Sequence, residues 1–248
     1  LIGKIADTVM SNGGSVIGII PKSLSDKEVA HQGLTELHIV DSMHTRKAMM
    51  EDFSDGFIAL PGGFGTFVQA QDTTIEIPDM MLGDENAPLE VIEYASFTCP
   101  HCATFHANVY PLLKADYIDT GKVKFIYREV YFDRFGLWGS MIARCAGPDR
   151  FFAVSNLIYE KQREWTASGD PAIVIEELRK LAKTAGMNDE TLDACMSDAD
   201  QAQALVGWYQ ANAERDGVNS TPSFLIGGEK YGNMTYENFK TILDEKLG

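Results

Sequence analysis

The feature that most constrains this chain is Cys99-Pro100-His101-Cys102, which follows the apolar run Leu89–Tyr94 by a short loop and opens a segment with helical patterning. A helix N-terminus presents unpaired N–H groups and the positive end of the helix dipole, so a cysteine placed there is stabilised as a thiolate. Cys99 is therefore the expected nucleophile. Cys102, one turn further on and less exposed, is the expected resolving thiol, because it can attack a mixed disulfide from inside the same loop. His101 is expected to add a hydrogen bond or positive charge at the Cys99 sulfur, which favours the reduced form and makes the disulfide oxidising.

Two other readings of the pair weigh less. Zinc needs four ligands for a closed site, and beyond Cys99, Cys102 and His106 the remaining cysteines are distant in sequence, so no metal is expected. A purely structural disulfide is disfavoured by the strand-loop-helix setting and by Thr221-Pro222 far downstream. Cys145 and Cys195, isolated on helical-looking sequence, read either as a structural disulfide or as two buried thiols. Four cysteines in 248 residues are too few for a disulfide scaffold, although the even count permits an oxidising compartment.

At this length, with 45% apolar residues, the chain makes one large domain or two small ones. No apolar run approaches the roughly 18 residues of a membrane span, so direct membrane insertion is not expected. Twenty-one basic against 36 acidic residues give a net charge of −15, which repels phosphate backbones; nucleic acid is not an expected partner. No charged n-region with an apolar core precedes residue 30, so no export signal is expected in the sequence as it stands.

Residues 1–67 read as alternating α/β: a helix over Ile2–Met10, a strand Ser15–Ile20 ended by Pro21, a strand Glu36–Val40, a helix Thr45–Phe53 and a strand Gly56–Leu60 that runs into a Gly-rich loop. The polar, small-residue stretch 68–78 reads as a linker. From residue 79 the pattern gives a strand Leu89–Tyr94, a helix from the Cys pair to about Tyr117 and a strand Val123–Val130. A helical run from about 136 to 212 follows, broken at Gly147-Pro148, Gly169-Asp170-Pro171 and Gly186. A strand Ser223–Ile226, a short strand Lys230–Tyr231 and a helix Thr235–Leu247 close the chain.

With Glu93-Tyr94-Ala95-Ser96-Phe97-Thr98-Cys99-Pro100-His101-Cys102 and Thr221-Pro222 in place, residues 79–248 resemble the DsbA-type thiol-disulfide oxidoreductases. The resemblance implies a thioredoxin-like fold with an all-helical insertion, and no cofactor beyond a redox-active Cys99–Cys102 disulfide. It implies that Pro222 is a cis-proline facing the motif and that the Thr221 backbone pairs with a bound substrate chain. Glu93 matches the family's buried acid that assists proton transfer at the second cysteine; the lesser reading is a strand-edge carboxylate on a solvated face. Unfolded or partly folded proteins as substrates, a membrane reoxidase as partner and a periplasmic setting are implied in the same way.

The segment Ile17–Thr66 resembles a second family, the Lonely Guy (lysine-decarboxylase-like) cytokinin phosphoribohydrolases, through Met43-His44-Thr45-Arg46-Lys47 and Pro61-Gly62-Gly63-Phe64-Gly65-Thr66. A partial Rossmann-like fragment is implied, in which Arg46, Lys47, Gly62, Gly63, Gly65 and Thr66 are a vestigial phosphate or nucleotide site. Gln69 stands where that family's motif carries its catalytic Glu, and a neutral amide cannot replace the carboxylate. Residues 1–67 are thus expected to be an inactive fragment lacking both ends of its domain. Val68-Gln69-Ala70 has the small-x-small spacing of a signal-peptidase site with no apolar core before it, as expected if a cytosolic-type fragment has replaced an exported protein's signal. The competing functional expectations are a nucleoside 5'-monophosphate phosphoribohydrolase and a chaperone-like binding module with a structural disulfide.

Overall fold

The computed structural model describes residues 2–22, 31, 33–41, 43–54 and 75–248. The chain divides into two compact units, 1–72 and 73–248.

In the first unit, helix α1 (Ile2–Ser11) precedes strand β1 (Ile17–Pro21), and strand β2 (Glu36–Val40) is followed by helix α2 (Met43–Asp52). The two strands pair in parallel with Ile17 opposite Glu36, the arrangement expected of a piece of an α/β sheet. Ala6 and Val40 are buried, and the Nε of Arg46 donates to the Ile19 carbonyl at 2.8 Å, so this side chain ties α2 to β1. The expected strand 56–60, the glycine loop with Gly62, Gly63, Gly65 and Thr66, and Gln69 lie outside the described residues, as does most of the expected linker.

In the second unit, β3 (Met80–Leu82), β4 (Leu89–Ala95), β5 (Val123–Glu129), β6 (Ser223–Ile226) and β7 (Glu229–Tyr231) form one sheet in the order β3-β5-β4-β6-β7. β4 runs parallel to β5 and antiparallel to β6, and occupies the middle. A central strand is covered on both faces, which is why β4 reads as a near-continuous apolar run rather than an alternating one. Its residues nevertheless sort by parity. Val91 and Ala95 join the main core with Phe125, Tyr127 and Phe224, whereas Ile92 and Tyr94 join a smaller cluster with Ile126 and Val130 on the other face. The short strand β3 carries no periodicity and was not expected from the sequence.

Helix α3 (Pro100–Asn108) starts with Pro100 in its first turn, where a missing N–H costs nothing. It ends earlier than the helical pattern suggests, because Pro111 lacks an N–H and its ring crowds the carbonyl four residues back. A four-residue helix α4 (Tyr110–Leu113) and a π turn (Lys114–Ile118) carry the chain on to β5.

The helical insertion spans 134–215 in six helices: α5 (Arg134–Cys145), α6 (Pro148–Glu160), α7 (Gln162–Trp165), α8 (Pro171–Thr184), α9 (Asp189–Ser197) and α10 (Ala199–Arg215). The three expected breaks are present, Gly147 adopting φ 81° immediately before Pro148. Two more fall at Lys161 and at Asp198, the second capped by its own side chain on the Gln201 N–H at 2.8 Å. Helix α11 (Tyr236–Leu247) closes the unit.

Candidate redox site

Cys99 is the N-cap of α3, in extended conformation, and so places its sulfur at the end of the helix where N–H groups are unpaired. The Thr221–Pro222 peptide bond is cis. The antiparallel register that sets Tyr94 opposite Ser223 brings this bond beside the turn before the helix. There the Cys99 thiol donates to the Thr221 carbonyl at 3.5 Å, while the Thr221 hydroxyl is buried with no hydrogen-bond partner. Once the thiol ionises, that hydroxyl becomes a ready donor to sulfur.

Both cysteines are free, and their environments differ. Cys99 retains 8% of its surface exposed and Cys102 none. The Cys99 thiol is held at about 5, first by hydrogen bonding from Cys102, against which burial works, and then by the Thr221 hydroxyl and the N–H groups of Cys102 and His101. Cys102 is pushed far above the ordinary thiol range, mainly by burial, then by its hydrogen bond to Cys99 and by the negative charge of Glu93. The His101 side chain is exposed, and its backbone N–H is among the groups that hydrogen-bond the Cys99 sulfur.

Glu93 lies on the middle strand, fully buried, rather than on a solvated edge. Both of its carboxyl oxygens face His106 Nε2, at 2.9 and 3.2 Å. His106 stacks on Tyr159 with ring centroids 4.3 Å apart and packs against Tyr110. The Tyr159 and Tyr127 hydroxyls meet at 2.6 Å, and burial raises both phenols well above their usual range, with the Glu93 charge adding to it. A polar cluster thus sits inside the aromatic core beneath Cys102. The resemblance placed Glu93 there, whereas from the sequence His106 enters only a zinc reading that is set aside. The usable signal was spacing, since His106 follows Cys102 by four residues and so shares its helix face.

The turn that presents Cys99 is held from the insertion as well. Thr98 Oγ1 donates to Asp133 Oδ2 at 2.8 Å, and Asp133 Oδ1 caps α5 by accepting from the Phe135 and Gly136 N–H groups. Gln162 reaches the same turn from the start of α7. Neither residue was expected from the sequence: an Asp ahead of a helical run is a start signal that could have pointed to Asp133, whereas Gln162, over 60 residues from Cys99, leaves no local trace.

Cys145 and Cys195 form a disulfide joining α5 to α9, which decides between the two readings of that pair. In the first unit Arg46 is engaged with a backbone carbonyl, and Lys47 lies on α2.

Residues 76–245 match the family model described as thioredoxin, and residues 2–127 match the one described as possible lysine decarboxylase. The strands within the overlap, β3, β4 and β5, all belong to the five-stranded sheet. A Rickettsia felis protein named "putative protein-disulfide oxidoreductase" is 31% identical over 170 residues, covering 68% of this chain and 60% of that protein. Its Rickettsia bellii counterpart is 29% identical over 174 residues, 70% of this chain and 66% of that protein. The chain therefore spans about two thirds or less of the length of these relatives. At the amino terminus, a cytokinin riboside 5'-monophosphate phosphoribohydrolase of Rhodococcoides fascians is 54% identical over 67 residues, 27% of this chain and 34% of that enzyme. Among solved structures, alpha-DsbA1 of Wolbachia pipientis superposes with a TM-score of 0.64 at 27% identity, over 71% of this chain and 94% of its own. BdbD of Bacillus subtilis shares the fold with a TM-score of 0.61 at 23% identity, over 68% of this chain and 92% of its own.

Proposed function

Because the chain belongs to the thioredoxin family through residues 76–245 and to the possible lysine decarboxylase family through residues 2–127, we propose that it is a protein thiol-disulfide oxidoreductase working through Cys99 and Cys102. The observation that carries the reading is the asymmetry of the two thiols, one stabilised as an anion at a helix N-terminus and the other buried as the neutral acid. In the oxidised enzyme a substrate thiolate attacks Cys99 Sγ and Cys102 leaves, taking up a proton in its buried site, with Glu93 the nearby acid. A second substrate thiolate then attacks the mixed disulfide at the substrate sulfur, and Cys99 departs as a stabilised thiolate. Two electrons pass from the substrate to the Cys pair, and no other cofactor is required. A good leaving group at Cys99 makes the forward direction oxidation of the substrate.

Substrates on this reading are unfolded or partly folded proteins that pair with the Thr221 backbone, reoxidation falls to a membrane partner, and the setting is periplasmic. Nucleic acid is not a partner. The organisation we propose is a redox domain over residues 79–248, a linker over 68–78 and an amino-terminal fragment over 1–67 without hydrolase activity. Gln69 in place of the acid and the engagement of Arg46 with Ile19 support the last point.

The test is a pH titration of thiolate absorbance in the reduced protein against a Cys99→Ser control, with disulfide formation in a reduced, unfolded protein as the activity readout. An apparent pKa well below neutrality with net oxidation of the substrate is expected. A pKa at the free-thiol value, with no substrate oxidised, would leave a structural pair as the better account.

A further inference from the structure

Gln162 is only 5% exposed, and its single amide nitrogen donates to two backbone carbonyls of the turn that presents the nucleophile, Phe97 at 2.8 Å and Cys99 at 2.9 Å. Both of its N–H bonds are thereby used. The residue itself is well anchored. Thr166 Oγ1 donates to the Gln162 carbonyl at 2.6 Å, and the buried Trp165 on the same short helix donates its Nε1–H to the Ile158 carbonyl at 2.9 Å. The Cys99 carbonyl also accepts the Ala103 N–H at 3.2 Å, the first bond of α3. One peptide therefore carries the nucleophile, starts the helix and is gripped from the insertion.

We propose that Gln162 is a positioning residue for Cys99: by holding the Phe97 and Cys99 carbonyls it keeps the sulfur over the helix N-terminus, so that the helical insertion sets how readily the nucleophile reacts. The inference rests on the reading of Cys99 as the nucleophile. Two physical effects point the same way. The Cys99 sulfur depends on the N–H groups of His101 and Cys102, and these are aimed only while the peptide that begins the helix keeps its orientation. Without the amide the Phe97 carbonyl is left bare and the Cys99 carbonyl keeps only the Ala103 N–H, so both turn the negative ends of their dipoles more fully on the developing charge, which disfavours ionisation. Asp133, the other hold on this turn, acts on the Thr98 side chain and leaves both carbonyls untouched.

The experiment compares the full chain with Gln162→Met, which keeps the length and bulk of the side chain but has no N–H. In the variant the Cys99 thiolate titration is expected to rise by about one pH unit, a tenfold change in the ionisation constant, with slower alkylation of Cys99 below neutral pH. A purely structural role would lower the melting temperature and leave the titration in place, and that result overturns the proposal. Should the variant not fold, the wild-type protein still decides. Slow hydrogen exchange of the Gln162 side-chain amide by NMR, with a chemical-shift change on oxidation of the Cys pair, is expected; exchange at the rate of a free amide overturns the proposal. A wild-type titration at the free-thiol value overturns the functional reading and this inference together. A low wild-type value shared by Gln162→Met overturns this inference alone.

Discussion

His106 Nε2 stands between the two carboxyl oxygens of Glu93, at 2.9 and 3.2 Å, with both side chains buried and the other ring nitrogen, Nδ1, lacking a hydrogen-bond partner. The imidazole is the polar group that meets this carboxyl inside an aromatic shell. Removing it strands an acid where water cannot reach.

His106→Ala should accordingly cost about 3–5 kcal/mol of stability in denaturant unfolding, the range for breaking a buried pair from one side. His106→Gln, which keeps an N–H to offer Glu93, should cost clearly less. Equal losses in the two variants would mean that packing, not the pairing, holds the site.

Glu93→Gln should make Cys102 more acidic. Burial is the main cause of the raised thiol and remains, but the negative charge beside it is gone. In a Cys99→Ser background, alkylation of Cys102 at alkaline pH should become faster than in the single variant, and an unchanged rate would remove Glu93 from the account of Cys102.

The reduced protein should gain stability as pH rises from 5. Cys99 is at about 5 when folded, against an ordinary thiol value of 9.0, so its contribution is complete above the higher value and vanishes as pH falls through the lower. Cys102 is protonated in both states below about pH 8 and adds no slope there. Linkage gives about 2 kcal/mol more stability at pH 7 than at pH 5, absent in Cys99→Ser. Unfolding curves at the two pH values measure it.

Arg144 pairs with Glu129 through two hydrogen bonds, at 2.6 and 2.7 Å, with 6% and 1% of the side chains exposed. Arg144→Met alone should destabilise by about 3–5 kcal/mol, and adding Glu129→Met should recover most of that, because an apolar pair of similar volume leaves no charge behind. Chemical denaturation of the single and double variants checks this.

Cys145→Ser with Cys195→Ser opens a link of sequence separation 50. The unfolded chain regains loop freedom, and the expected loss is about 2–4 kcal/mol in thermal unfolding.

The parts of this site that were legible in the sequence are those whose chemistry is local. A Cys pair behind a buried strand announces itself, and so does a strand such as Ser223–Ile226 set between Thr221-Pro222 and a Gly-Gly turn. Glu93 was half legible: resemblance proposed a buried acid, the residues alone also allow a solvated edge, and its place on the middle strand with no exposed surface decides for the interior. At His101 the sequence shows a titratable side chain, while the peptide N–H that lowers the Cys99 thiol leaves no mark in it. Gln162 was out of reach, since its effect depends on a helix returning to the motif from more than 60 residues away, and Gln on a helix is unremarkable by composition. Cys145 and Cys195 could not be paired by spacing, because two helical cysteines 50 residues apart fit a bond and two thiols equally well.

The parity of β4 has a consequence for how the sheet assembles. Glu93 turns to one face and meets His106. Tyr94 turns to the other, where its hydroxyl bonds Asp216 and accepts from Arg128, whose guanidinium also grips Asp79 at 2.7 and 2.8 Å. Sliding the strand by a single residue would exchange the faces, stranding the carboxyl in one apolar cluster and the phenol in the other. The central strand is thus proofread from above and below at adjacent positions, and a chain that has paired it wrongly forfeits both networks at once.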